Sequence, residues 1–145
     1  GSSRVFDVPT SENALTGVSI GAALNGVRSV VTHQRLDFFL LAMDQLVNSA
    51  AKWYYMFGSQ KPVPITIRLI IGRGWGQGPT HSQNLQAWFN HIPGLKVVTP
   101  STPRDVLGLF KSGPETLRGA LVMPLMTKGL KDGTIAFNLL TCVKE

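Results

Sequence analysis

Hydrophobic and polar positions alternate between two periodicities along the chain. SENALTGVSIGAALNG (residues 11–26) has the helical pattern, with Ser11 in the N-cap position and Gly26 just past the end. RSVVTH (28–33) is a short β-branched run and predicts a strand. DFFLLAMDQLVNSAAKWYYMF (37–57) predicts a long helix, capped by Asp37 and stopped at Gly58. VPITIRLII (63–71) is nearly all apolar or β-branched, as a strand buried on both faces should be. A glycine-rich loop follows. SQNLQAWFNH (82–91) then predicts a short helix ended by Pro93-Gly94, LKVVTP (95–100) a strand, and TPRDVLGLFKS (102–112) a helix with Pro103 in its first turn.

Helices and strands alternating over short links predict an α/β fold, a mostly parallel central sheet flanked by helices. In such sheets ligands gather outside the carboxyl ends of the strands. Three segments should meet on that edge: DVPTSE (7–12), THQRLDFF (32–39) and the loop GRGWGQGPTHSQ (72–83). The last carries Gly72, Gly74, Gly76 and Gly78, a density that lets backbone approach a ligand.

The loop fits none of the common glycine-rich or catalytic signatures. It has no Gly-Lys pair for a phosphate loop, no GxGxxG and no GxSxG, and the chain has no HExxH. The three histidines lie far apart in sequence beside a single cysteine, so no metal site is expected. His81 is either a capping or surface residue, or a group at the ligand edge beside permissive glycines.

At 145 residues the chain fits one domain. Its 43% hydrophobic and 15% charged residues are ordinary for a globular protein. Gly1–Ser3 reads as a cloning remnant. No apolar run reaches membrane-spanning length and no signal-peptide pattern is visible. The single Cys142 excludes an internal disulfide and suits a reducing cytoplasm. The net charge of +6 is spread without a basic block, which argues against nucleic acid, and an acidic partner or anionic cofactor accounts for the charge equally well.

Three stretches carry a resemblance: RVFDVPTSENALTGVSIGAALNGVRSVV, DFFLLAMDQLVNSAAKWYYMFGSQKPVPITIR and THSQNLQAWFNHIPGLKVVTPSTPRD. From about Arg4 to about Ser112 the chain resembles the β subunits of thiamine-diphosphate-dependent 2-oxo acid dehydrogenases. These carry a transketolase-like pyrimidine-binding domain. The resemblance implies that Glu12 hydrogen-bonds N1′ of the cofactor's aminopyrimidine and favours its imino tautomer. It implies that Phe38 packs on the pyrimidine ring and that His81 stands near the substrate carbonyl or lipoyl acceptor. The glycine loop would line the cofactor and substrate channel. The diphosphate and Mg²⁺ would belong to an α-type partner.

Against that family, the stretch expected before RVFDVP is missing and the text after Ser112 diverges. The expectation is a pyrimidine-binding-like domain over 4–112, truncated at the front, with a divergent tail over 113–145. The tail holds two strand-like segments, GALVMPL (119–125) and GTIAFNLL (133–140), around the turn KDG. Their β propensity suits them to cover an open sheet edge, and it predicts that residues 117–140 pair with the sheet or pair across a two-fold axis. Three functions stay open: a β-like component of a decarboxylating dehydrogenase, a non-enzymatic remnant that binds no cofactor and self-associates, and a transketolase or deoxyxylulose phosphate synthase relative. Trp53, Tyr54 and Tyr55 are candidates for a subunit contact or for the core, and a homo-oligomer is expected.

Overall fold

The computed structural model of the chain describes residues 3–72, 77–116 and 120–126. Gly74 and Gly76 of the loop, the segment GTIAFNLL and Cys142 lie outside them. Four strands form one sheet: β1 (Val30–His33), β2 (Thr66–Ile71), β3 (Lys96–Val97) and β4 (Leu121–Met126). Their order is β1-β2-β4-β3 and every pairing is parallel. The α/β architecture with a parallel sheet is the one the alternation of elements predicts.

β2 is the hub. It pairs with β1 from Val30↔Thr66 to His33↔Leu69 and with β4 from Thr66↔Leu121 to Ile71↔Met126. A strand flanked on both sides has no polar face to show water, which is why the run from Val63 to Leu69 is buried throughout. On one face Ile67, Leu69 and Ile71 meet Ile20 and Ala23 of α1 (Glu12–Leu24), Leu36 and Phe39 of α2 (Leu36–Phe39), and Phe89 of α4 (Gln86–Asn90). Each large side chain buried there contributes about 1.5–3 kcal/mol.

The long helix expected over 37–57 is not continuous. It starts at Leu36 with Arg35, not Asp37, in the N-cap position. The α2 turn passes into a 3₁₀ turn over Leu40–Ala42, a π-helical stretch over Gln45–Ala50, and a last turn, α3 (Trp53–Met56). The buried positions explain the change of winding. Leu36, Phe39 and Ala42 recur every three residues, then Leu46 and Ala50 every four. Backbone tightened to three residues per turn and then loosened keeps all five on the sheet side. The Ala51 N–H donates to the Leu46 carbonyl at 2.9 Å, the five-residue step of the loosened turn.

Gly94 closes the turn between α4 and β3 at φ +91°, and a Cβ there would lie 2.0 Å from the Ala51 carbonyl oxygen. Backbone on both sides of that contact leaves nothing flexible to give way. Gly94→Ala is therefore expected to lose about 2–5 kcal/mol, from left-handed strain and overpacking together. The urea unfolding midpoint checks this, and an unchanged midpoint contradicts it.

The second half departs further from expectation. The strand LKVVTP shrinks to Lys96–Val97. α5 (Pro103–Thr116) runs through Ser112, so the boundary expected there falls inside a helix. GALVMPL supplies β4, which pairs with the sheet, in its interior between β2 and β3. β3 pairs only as far as Val97↔Val122. Pro124, with no N–H to give, stands beyond that point, where β2 is the only neighbouring strand among the described residues.

Candidate functional site

The carboxyl ends of β1 and β2 define the edge where the chemistry gathers. β1 ends at His33, and the chain turns through Gln34 and Arg35 into α2, which brings Asp37 and Phe38 to the edge. β2 ends at Ile71 and opens the glycine loop, with φ of +93° at Gly72 and +84° at Gly78. The loop leaves through a 3₁₀ turn over Pro79–His81, so His81 ends a turn of its own before α4 begins at Gln86.

Two contacts join the segment after β1 to the segment after β2. The Phe38 and His81 rings meet edge to face, centroids 5.2 Å apart at 88°. One turn away, Asp37 Oδ1 accepts from the Gln83 backbone N–H at 3.3 Å and from Gln83 Nε2 at 2.8 Å. Asp37 therefore spans 46 residues of sequence instead of capping its own helix. His81 Nδ1 also lies 3.1 Å from Thr80 Oγ1, which steadies the ring. Phe38 remains 38% exposed, so a flat apolar surface faces outward beside an imidazole.

Glu12 opens α1 and is half-buried. α1 leads through residues 25–29 into β1 and packs against it. Ser11 occupies the N-cap position with extended backbone, but its side chain makes no capping bond. The helix start is instead steadied by Thr16 Oγ1, which donates to the Glu12 carbonyl at 2.8 Å.

His33 belongs to the same corner and is absent from the residues expected there. It is 6% exposed and its ring lies 4.8 Å from that of Phe39. Burial pushes its pKa below the ordinary imidazole value, and the negative charge of Glu12 works against that shift. The available signal was strand alternation. His33 follows Val31 by two residues, which puts a titratable ring on the buried face at the ligand end of β1. Two further polar atoms here, His33 Nε2 and Asp37 Oδ2, are buried without a hydrogen-bond partner.

Of the aromatic residues considered for a subunit contact, Tyr55 is 89% exposed while Trp53 packs against the core. The Trp53 and Phe57 rings lie 4.5 Å apart.

An apolar face, a carboxylate, an imidazole and orphaned polar atoms on one edge suit a flat heteroaromatic ring with a polar rim. The family described as "Transketolase, pyrimidine binding domain" matches residues 1–127, a span that runs past Ser112 and through β4. The chain is 45% identical over 112 residues to the pyruvate dehydrogenase E1 component subunit beta of Homo sapiens, covering 77% of this chain and 31% of that one. It is 47% identical over 107 residues to the acetoin:2,6-dichlorophenolindophenol oxidoreductase subunit beta of Cupriavidus necator, covering 74% and 32%. The pyruvate dehydrogenase E1 component subunit beta of Rhizobium meliloti is 45% identical over 112 residues, covering 77% and 24%. The chain thus spans about a third of the length of the relatives it matches, or less. A match over the described sheet, on a parallel α/β domain, shows that the chain belongs to the transketolase pyrimidine-binding domain family.

Proposed function

We propose that this chain supplies the aminopyrimidine half of a thiamine-diphosphate site and acts in decarboxylation of a 2-oxo acid together with an α-type subunit. The observation that carries the reading is the joining of the two post-strand segments by Phe38–His81 and Asp37–Gln83 at the carboxyl edge. The residues fit the group: Phe38 offers a flat apolar surface, and Glu12 offers a half-buried carboxyl at the start of α1. When bound, thiamine diphosphate supplies the electron sink that accepts the bond broken in decarboxylation.

The chain's own residues then have separate tasks. Glu12 holds or releases a proton toward the pyrimidine N1′ edge. Phe38 holds the ring plane by stacking, and the edge-on imidazole of His81 limits how Phe38 can turn. His81 stands toward the substrate side, where an imidazole can donate to a carbonyl oxygen. Asp37, fixed by Gln83, keeps the loop exit in register with α2. The diphosphate and its Mg²⁺ are assigned to the α-type partner. Exposed Leu41, Tyr55, Met56 and Phe57 support a subunit-contact surface and self-association, and the single cysteine supports a cytoplasmic setting.

The test is reconstitution. The purified chain with thiamine diphosphate and Mg²⁺ is expected to release no CO₂ from pyruvate, and addition of an α-type subunit is expected to restore release. Sustained turnover by the chain alone contradicts the half-site reading.

A further inference from the structure

The second face of the sheet carries a cation that the proposed function does not use. Arg68 lies in β2, and alternation along the strand turns it away from Ile67 and Leu69 and from the core they join. Its side chain is 9% exposed, and its Nε is buried without a hydrogen-bond partner. Two residues earlier on the same face, Thr66 is 1% exposed and its Oγ1 is also buried without a partner. A two-residue step along a strand sets their Cα atoms about 7 Å apart. Buried polar atoms are paired with few exceptions, so two orphans on one face point to a partner that the sheet itself does not supply.

No counter-charge comes from the neighbouring strands. Arg68 stands in register with Thr32 of β1 on one side and Met123 of β4 on the other. Asp37, Asp44 and Asp105 are engaged elsewhere, by Gln83, Asn48 and Thr102. Burial pulls the Arg68 guanidinium below its ordinary pKa, and no acidic group acts against that shift. A guanidinium starts so far above neutrality that it stays charged all the same. A way in lies over β1. Val30 and Thr32 are exposed on this face, whereas Val31 and His33 are buried on the other. The face is open over β1 and closed over Thr66 and Arg68, so Arg68 stands at the step between them.

We propose that Arg68, with the Thr66 and Thr32 hydroxyls, forms a binding site for one small carboxylate on the second face of the sheet. The guanidinium presents a planar fork of N–H donors that the two oxygens of a carboxylate match. A monoanion balances the single cation, whereas a dianion such as phosphate would leave charge unpaired in a buried place. The threonine hydroxyls donate to the remaining lone pairs. Arg68 sits three residues before Ile71, where β2 ends, so the site is apart from the carboxyl edge and fills without cofactor or α-type subunit.

Thermal unfolding of the full-length chain tests this, with acetate as the probe. In saturating sodium acetate the midpoint is expected to rise by about 3 °C or more over sodium chloride of equal ionic strength. Arg68→Met keeps the reach of the side chain and removes the charge, and its midpoint is expected to be the same in both salts. The Arg68 Nε–H signal, assigned by its loss in Arg68→Lys, is expected to move saturably with acetate, a readout that holds should Arg68→Met fold poorly. In Thr66→Val the same titration is expected to show binding weakened about five-fold, the contribution of one hydrogen bond. No gain in acetate over chloride, an equal gain in Arg68→Met, or an unmoved Nε–H signal overturns the proposal. An equal gain in phosphate overturns the assignment to a carboxylate.

Discussion

Glu12→Ala in a chain reconstituted with its α-type subunit is expected to lower CO₂ release from pyruvate by about 10²–10⁴-fold, the range a positioned proton-transfer group contributes. The loss should fall on turnover and leave folding nearly untouched. Glu12 stands half-buried in the first turn of α1, while the contacts that fasten the helix come from Thr16, Ser19, Ile20 and Ala23. Removing a carboxylate from a helix start costs about 0.3–1 kcal/mol. Circular dichroism of the variant should therefore match the parent. Full activity of the reconstituted variant would show that Glu12 has no part in the proton transfer.

Deleting residues 113–145 is expected to produce aggregation instead of a smaller soluble domain. The deletion removes the last turn of α5 and all of β4, which is paired along the whole of β2 and at its start to β3. It also removes Ala120 and Val122 from the core, both fully buried. β2 is left with an unpaired edge of near-continuous apolar sequence, and β3 loses its one neighbour among the described strands. Light scattering and circular dichroism check the outcome. A monodisperse, folded monomer would mean that β4 is dispensable to the sheet.

Much of the fold could be read from short-range pattern. β2 announces itself because Val63–Ile71 is apolar or β-branched at almost every position, the mark of a strand with two covered faces. The winding of residues 36–56 could not be read that way. Helix propensity is uniform across the stretch, and the 3₁₀ and π turns follow from where Leu36, Phe39, Ala42, Leu46 and Ala50 must point. β4 was legible as a strand but not as an interior one, since parallel pairing is set by contacts far apart in sequence. Ser112 marks a change in resemblance to the family and no structural boundary, because α5 continues to Thr116.

The site divides along the same line. Phe38 and His81 were expected at one edge and their rings touch. Asp37 had the residue type and place of a helix cap, yet its partner is Gln83, and nothing local in the sequence reveals a bond across 46 residues. His33 was hidden by its surroundings. In a run of β-branched residues a histidine reads as the end of the strand, and the structure shows that its ring turns inward against Phe39.

Calorimetric titration of thiamine diphosphate with Mg²⁺ tests the central claim most directly, run on the chain alone, on an α-type subunit alone, and on the two mixed. Half of a cofactor site makes half of the contacts, so the chain alone should show weak binding or none, and the mixture should bind far more tightly than either component. Tight, Mg²⁺-dependent binding to the chain alone would contradict the account.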